Sequence, residues 1–222
     1  LIQSLYNVVD SLFVGKYDPS GNGINALSVI YTMQLVIIAL AVGTGVGVNT
    51  YMAKLYAEKK EKEANETAGV GAVLSIIMWI IFSLLSVVIL KPFINFQCTD
   101  ETAREYSFTY GIIVCVGSLG VFAEGIFTKV HQAEGNMILP TIAQITGAVV
   151  NVILDPVLIF GWWIFPEMGI AGAAVATVLG QVIAAVITGI KGFRKPPELK
   201  NFGHYIKKIY GYGYPSVLMQ FA

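Results

Sequence analysis

Apolar residues in this chain come in long unbroken runs, where a soluble domain would alternate them with polar residues at helical or strand period. Residues 19–53, 67–90 and 168–190 contain no Asp, Glu, Lys or Arg. Each run exceeds the ~20 residues that carry a helix across a ~30 Å hydrocarbon core. Membrane-spanning strands would read as alternating ~10-residue segments, which the chain lacks. The pattern predicts helices over residues 1–17 (truncated), 24–56, 67–96, 104–131, 138–161 and 169–193, with a seventh starting near 204. Turn-forming or charged stretches separate them: Asp18-Pro19-Ser20-Gly21-Asn22-Gly23, the mixed-charge run 58–66, Gly135-Asn136, Phe165-Pro166-Glu167 and Lys195-Pro196-Pro197. The expected fold class is an all-α integral membrane protein, a six-helix transmembrane bundle over 1–203 followed by the start of a further helix at 204–222. Leu1 already lies in an apolar segment, and the chain stops at Ala222 soon after a new one begins, as expected of a piece of a longer protein.

Composition agrees, with 55% hydrophobic and 13% charged residues. Fourteen basic residues balance fourteen acidic ones, so no bulk attraction to nucleic acid is expected. Cys98 and Cys115 lack metal-ligand spacing and are not expected to form a disulfide. The basic residues are unevenly shared between alternate connections. Lys54, Lys59, Lys60, Lys62, Lys129, Lys191, Arg194, Lys195, Lys200, Lys207 and Lys208 fall on one side, and only Lys16, Lys91 and Arg104 on the other. The positive-inside rule then places the first group in the cytoplasm and directs the first helix outward.

Two acidic residues stand out against this background, Asp10 in LYNVVDSLFVG and Asp155 in VVNVILDPVLIFG. An Asp at the centre of a membrane helix opposes insertion by ~2.5–3.5 kcal/mol, so such residues usually mark an ion, proton or substrate site. Each has a polar residue one turn earlier, Tyr6 and Asn151, on the same helix face. At ~1.5 Å per residue Asp10 lies ~10 Å from the outer end of its helix, Asp155 ~9 Å and Thr177 ~12 Å. Two carboxylates, a hydroxyl and an amide in one layer describe a site for a hard monovalent cation, with Na⁺ possible, or for a proton. Pro156 cannot donate to the Val152 carbonyl, which predicts a kink beside Asp155 and a carbonyl that needs another partner. Glu124 is expected near the inner interface, snorkelling or pairing near Lys129. His131 is expected as a solvated cap at the same edge. Gly43, Gly45, Gly47 and the run Gly169 to Ala174 read as helix-packing signals.

Four segments in order, LYNVVDSLFVG, FTKVHQAEGNMILP, GAVVNVILDPVLIFG and PEMGIAGAAVATVLGQ, resemble the multidrug and toxic compound extrusion (MATE) family of transporters, from residue 1 to the start of the seventh helix. The resemblance implies twelve helices in two six-helix lobes, of which this chain would be the N-terminal lobe and the start of the next. It implies a cation site that carries over to Asp10 with Tyr6, to Asn151 and Asp155, and to Thr177 with the Ala173 carbonyl one turn before it. It also implies a multi-pass protein of the cytoplasmic membrane with a cytoplasmic N-terminus. Such a protein is a transporter and not an enzyme, with no cofactor beyond a coupling Na⁺ or H⁺. Its expected activity is antiport of small organic, often cationic, compounds such as drugs and dyes. Its other partners would be membrane lipid and the C-terminal lobe of the same chain. Two alternatives remain at this point: a lipid-linked oligosaccharide flippase of related architecture, and an intramembrane aspartyl protease. The flippase would need a cationic cavity, and the protease a YD and GxGD context. Here Asp10 follows Val9, and Asp155 follows Leu154.

Overall fold

Helices account for nearly all of the computed structural model, which describes residues 2–221, with side chains over 6–215. In chain order they are α1 Ile2–Tyr17, α2 Asn22–Ala57, α3 Glu61–Gln97, α4 Glu101–Val116, α5 Leu119–Ala133, α6 Ile138–Ile159, α7 Ile170–Gly192, a short 3₁₀ turn Leu199–Asn201 and α8 Phe202–Phe221. No strand occurs among the described residues. α2, α3, α6 and α7 are each long and apolar enough to cross a membrane, and α4 and α5 reach that length only taken together, as a pair bent at a short break.

The turn between α1 and α2 follows from its composition. The Asp18 carboxylate accepts from the Ser20 hydroxyl (2.6 Å) and from the Gly23 backbone N–H (2.8 Å). It thereby satisfies an orphan donor of the first turn of α2. The Ser20 hydroxyl holds the Asp18 carboxyl below the usual carboxylate range. Gly21 takes the left-handed conformation (φ 85°) that closes the turn.

Two expectations are corrected. The mixed-charge run 58–66, expected as a connection, is helical from Glu61, six residues before the predicted start of α3. Glu61 and Glu63 occupy the first turn, where acidic residues offset the helix dipole, and Lys62 approaches Glu66 one turn on. Within this run only Lys59 takes a left-handed turn conformation (φ 59°). The single helix predicted over 104–131 is two helices bent by 43° at Gly117-Ser118. The Gly117 N–H keeps its helical bond to the Ile113 carbonyl (2.8 Å), whereas the Ser118 N–H (3.4 Å) and hydroxyl (2.7 Å) both turn to the Cys115 carbonyl three residues back, which ends the α ladder. A Cβ at Gly117 would lie 2.6 Å from Val178, so glycine also admits α7 at the break.

The chain forms two compact units, each drawing on several helices. The first comprises Leu1–Leu35, Ile81–Ser118 and Gln144–Ile183; its core gathers Leu27, Ile30, Leu90, Tyr110, Ile159 and Ala173. The second comprises Val36–Ile80, Leu119–Ala143 and Ala184–Ala222; its core gathers Val48, Met52, Leu55, Ala68, Ile126 and Ile209. In the second unit the 193–201 segment is strapped down. Arg194 donates to Glu134 (2.7 Å) and Asn65 (3.1 Å), and Pro196 covers Gly69, where a Cβ would lie 2.6 Å from the Pro196 backbone.

α2 and α8 approach within the second unit only because glycines line their contact. A Cβ on Gly47 would run into the Ile209 carbonyl oxygen, and one on Gly213 would lie 2.6 Å from the Gly43 carbonyl. Gly43 and Gly47 are four apart, the small-residue spacing of close membrane-helix packing. Gly47→Ala is expected to destabilise the full-length protein by ~1–3 kcal/mol through overpacking. A thermal unfolding midpoint equal to wild type in detergent would show that the two helices can separate without cost.

Candidate functional site

The first unit buries a polar network in otherwise apolar surroundings. Asp10 of α1, Asn151 and Asp155 of α6, and Thr177 of α7 are all fully buried, at 0% exposure. Asp10 Oδ2 accepts from the Thr177 hydroxyl (2.8 Å) and from the Tyr110 hydroxyl of α4 (2.6 Å). Asn151 Nδ2 reaches three acceptors: Asp10 Oδ1 at 3.2 Å, Asp155 Oδ1 at 3.3 Å and Thr177 Oγ1 at 3.3 Å. Four helices therefore meet at one cluster of oxygens. Asn151 and Asp155 are neighbours because residues four apart share a helix face.

Two acceptors remain without a hydrogen bond, Asn151 Oδ1 and Asp155 Oδ2, and both are buried. The hydroxyls of Tyr110 and Thr177 and the amide of Asn151 reach the two carboxyl groups, and among the described residues no basic side chain forms an ion pair with either. Carboxylates removed from water without a basic partner need a proton or a cation to offset their charge. Oxygen-only donors suit a hard cation, so the residues fit the ion expected of them.

The other expected residues lie within one helical turn of members of this cluster along their own helices. Tyr6 is buried on α1, its ring against Gly180, where a Cβ would lie 3.3 Å from the Tyr6 hydroxyl oxygen. Ala173 is buried one turn before Thr177, in the apolar core of the first unit. α6 continues through Pro156 to Ile159, so the proline leaves the helix unbroken. Tyr110 is the residue that sequence reasoning missed. It lies nine residues into α4, a depth of ~14 Å, which is the layer of Asp10 and Asp155.

One reading away from the network changes. His131 is buried (1% exposed), not a solvated cap; its Nε2 bonds the Thr188 carbonyl at 2.9 Å. Glu124 accepts from the Thr128 hydroxyl (2.7 Å), while Lys129 donates to Gln132 (2.8 Å).

An all-helical membrane bundle with a buried acidic cluster shared by several helices has the architecture of a secondary-transporter lobe. The MatE family model matches residues 1–157, and the chain belongs to that family. The probable multidrug resistance protein NorM of Thermotoga maritima is 28% identical over 239 residues, covering 100% of this chain and 49% of its own length. The FAD transporter of Shewanella oneidensis is 25% identical over 184 residues, 83% of this chain and 40% of its own. The chain thus spans about half the length of the curated relatives it matches. An inward-facing multidrug resistance MATE family transporter of the MOP superfamily superposes with a TM-score of 0.86 at 23% identity, over 98% of this chain and 50% of its own. The Shewanella relative and the superposed structure are transporters, and the chain is a multi-pass helical membrane protein.

Proposed function

We propose that the chain is one lobe of a multidrug efflux transporter that exchanges small organic, often cationic, compounds for Na⁺ or H⁺ across the cytoplasmic membrane. The coupling ion binds at Asp10 and Asp155, with Asn151 and Thr177 completing the oxygen shell and Tyr6 and the Ala173 carbonyl at its edge. The observation that carries this reading is the buried network of Asp10, Asn151, Asp155 and Thr177, with two acceptors left over. Membership of MatE and likeness to a multidrug resistance protein support the substrate class. The loop-charge bias supports a cytoplasmic N-terminus, with the site in the outer half of the membrane.

Coupling follows from linkage. If the ion and the organic compound favour different conformers, each weakens the other's binding by the same factor. The ion gradient then drives export by repeatedly returning the protein to the compound-free conformer. The test is transport of a fluorescent cationic dye by the full-length protein in vesicles, with Na⁺ and pH gradients imposed separately. One of the two gradients is expected to drive dye movement; a flux indifferent to both would overturn antiport.

A further inference from the structure

Lys91, Asn95, Glu101, Arg104, Glu105 and Phe108 of α3 and α4 line a cavity of about 440 Å³ in the first unit, away from the buried carboxylates. That volume lies within the ~300–1,000 Å³ range of small-molecule sites. Its walls carry two cations and two carboxylates, yet among the described residues none of the four forms an ion pair with another. Arg104 is held by its Nε bond to the Cys98 carbonyl (2.8 Å), and the Lys91 ammonium lies 5.7 Å from the centre of the Phe108 ring. The charges are therefore separated around a space and sum to zero. A ligand complementary to such walls carries one positive and one negative group and no net charge.

The surface that continues from the cavity indicates what kind of molecule bears those groups. Ile81, Leu84, Val88, Lys91 and Asn95 recur at three- and four-residue spacing, so they form one stripe along α3. The apolar part of that stripe is bare, with Leu84 66% and Val88 72% exposed. From Ile81 to Lys91 is ten residues, or ~15 Å of helix. This equals half of the ~30 Å hydrocarbon core, the depth of one leaflet. A polar, doubly charged pocket thus caps an apolar track one acyl chain long.

We propose that this pocket binds the head group of a phospholipid bearing a primary ammonium, with its acyl chains along Ile81, Leu84 and Val88. The phosphate is held by Lys91 and Arg104 and the ammonium by Glu101 and Glu105, as charge-assisted hydrogen bonds. A quaternary ammonium has no N–H to donate to the glutamates, and an anionic head leaves them unpaired. The pocket therefore discriminates phosphatidylethanolamine from phosphatidylcholine and phosphatidylglycerol. The inference is independent of the ion site.

Native mass spectrometry of the full-length protein, titrated with these three lipids bearing identical chains, tests it. Phosphatidylethanolamine is expected to be retained about tenfold more tightly than either of the others; Glu105→Gln is expected to remove that preference, and Lys91→Gln to weaken retention of all three lipids, whose shared phosphate it holds. Both side chains are exposed, so the fold survives their replacement. Glycerophosphoethanolamine, the same head without chains, is expected not to compete. Equal retention of the three lipids, a preference unmoved by Glu105→Gln, retention unmoved by Lys91→Gln, or effective competition by the free head group would each overturn the proposal.

Discussion

Asp155→Asn in the full-length protein is expected to abolish gradient-driven dye export while leaving membrane insertion intact. The replacement keeps the shape of the side chain and removes its negative charge. Nothing in the packing of α6 is disturbed, and the helix loses a group that opposes insertion by ~2.5–3.5 kcal/mol when charged at mid-membrane. Without added ion, the variant is therefore expected to be at least as stable as wild type. The difference emerges on adding the coupling ion. At a concentration a hundredfold above its Kd, an ion that binds only the folded protein stabilises it by ~2.7 kcal/mol. Wild type should show that gain in its unfolding midpoint, and the variant should not. Normal export by Asp155→Asn would remove the carboxylate from the coupling site. Loss of export with an unchanged ion response would move the ion elsewhere.

Tyr110→Phe is expected to weaken ion binding without removing an ion ligand. The Tyr110 hydroxyl donates to Asp10 Oδ2 at 2.6 Å from a buried position on α4. It fixes the rotation of the carboxyl group, so that Oδ1 faces Asn151. Phenylalanine fills the same space and leaves that rotation to Thr177 and Asn151. Loss of a group that orients a ligand typically costs 10–100-fold in affinity. A titration of ion-induced stabilisation should record a shift of that size, with maximal transport recovered at saturating ion. A merely structural role would lower stability equally at all ion concentrations, and this outcome would sink the assignment.

The carboxylates were legible in the sequence because charge is expensive in lipid: one Asp in an apolar run is a signal that needs no fold to interpret. Asn151 and Thr177 followed from helix spacing and depth. Tyr110 did not, since a tyrosine in SFTYGIIV is equally at home in a helix contact or at an interface. Only the helix direction, applied to its depth, would have raised it. The break at Gly117-Ser118 was hidden for a different reason. Gly and Ser are common within membrane helices, and whether they bend one depends on what packs beside them, here Val178 of α7. His131 shows the same limit. A histidine beside charged residues reads as solvated until the Thr188 carbonyl of another helix takes its ring nitrogen. The early start of α3 is hidden because mixed Lys and Glu signal exposure, which a loop and a solvated helical turn share, while both residues are strong helix formers.

The amide of Asn151 has two hydrogens and stands within reach of three acceptors, Asp10, Asp155 and Thr177. At any moment one of the three goes unserved, so the cluster has several nearly equivalent ways of sharing its hydrogens, and none satisfies it completely. A proton or a cation that occupies one acceptor lifts this degeneracy. Binding then selects a single arrangement across α1, α6 and α7 before any helix has moved.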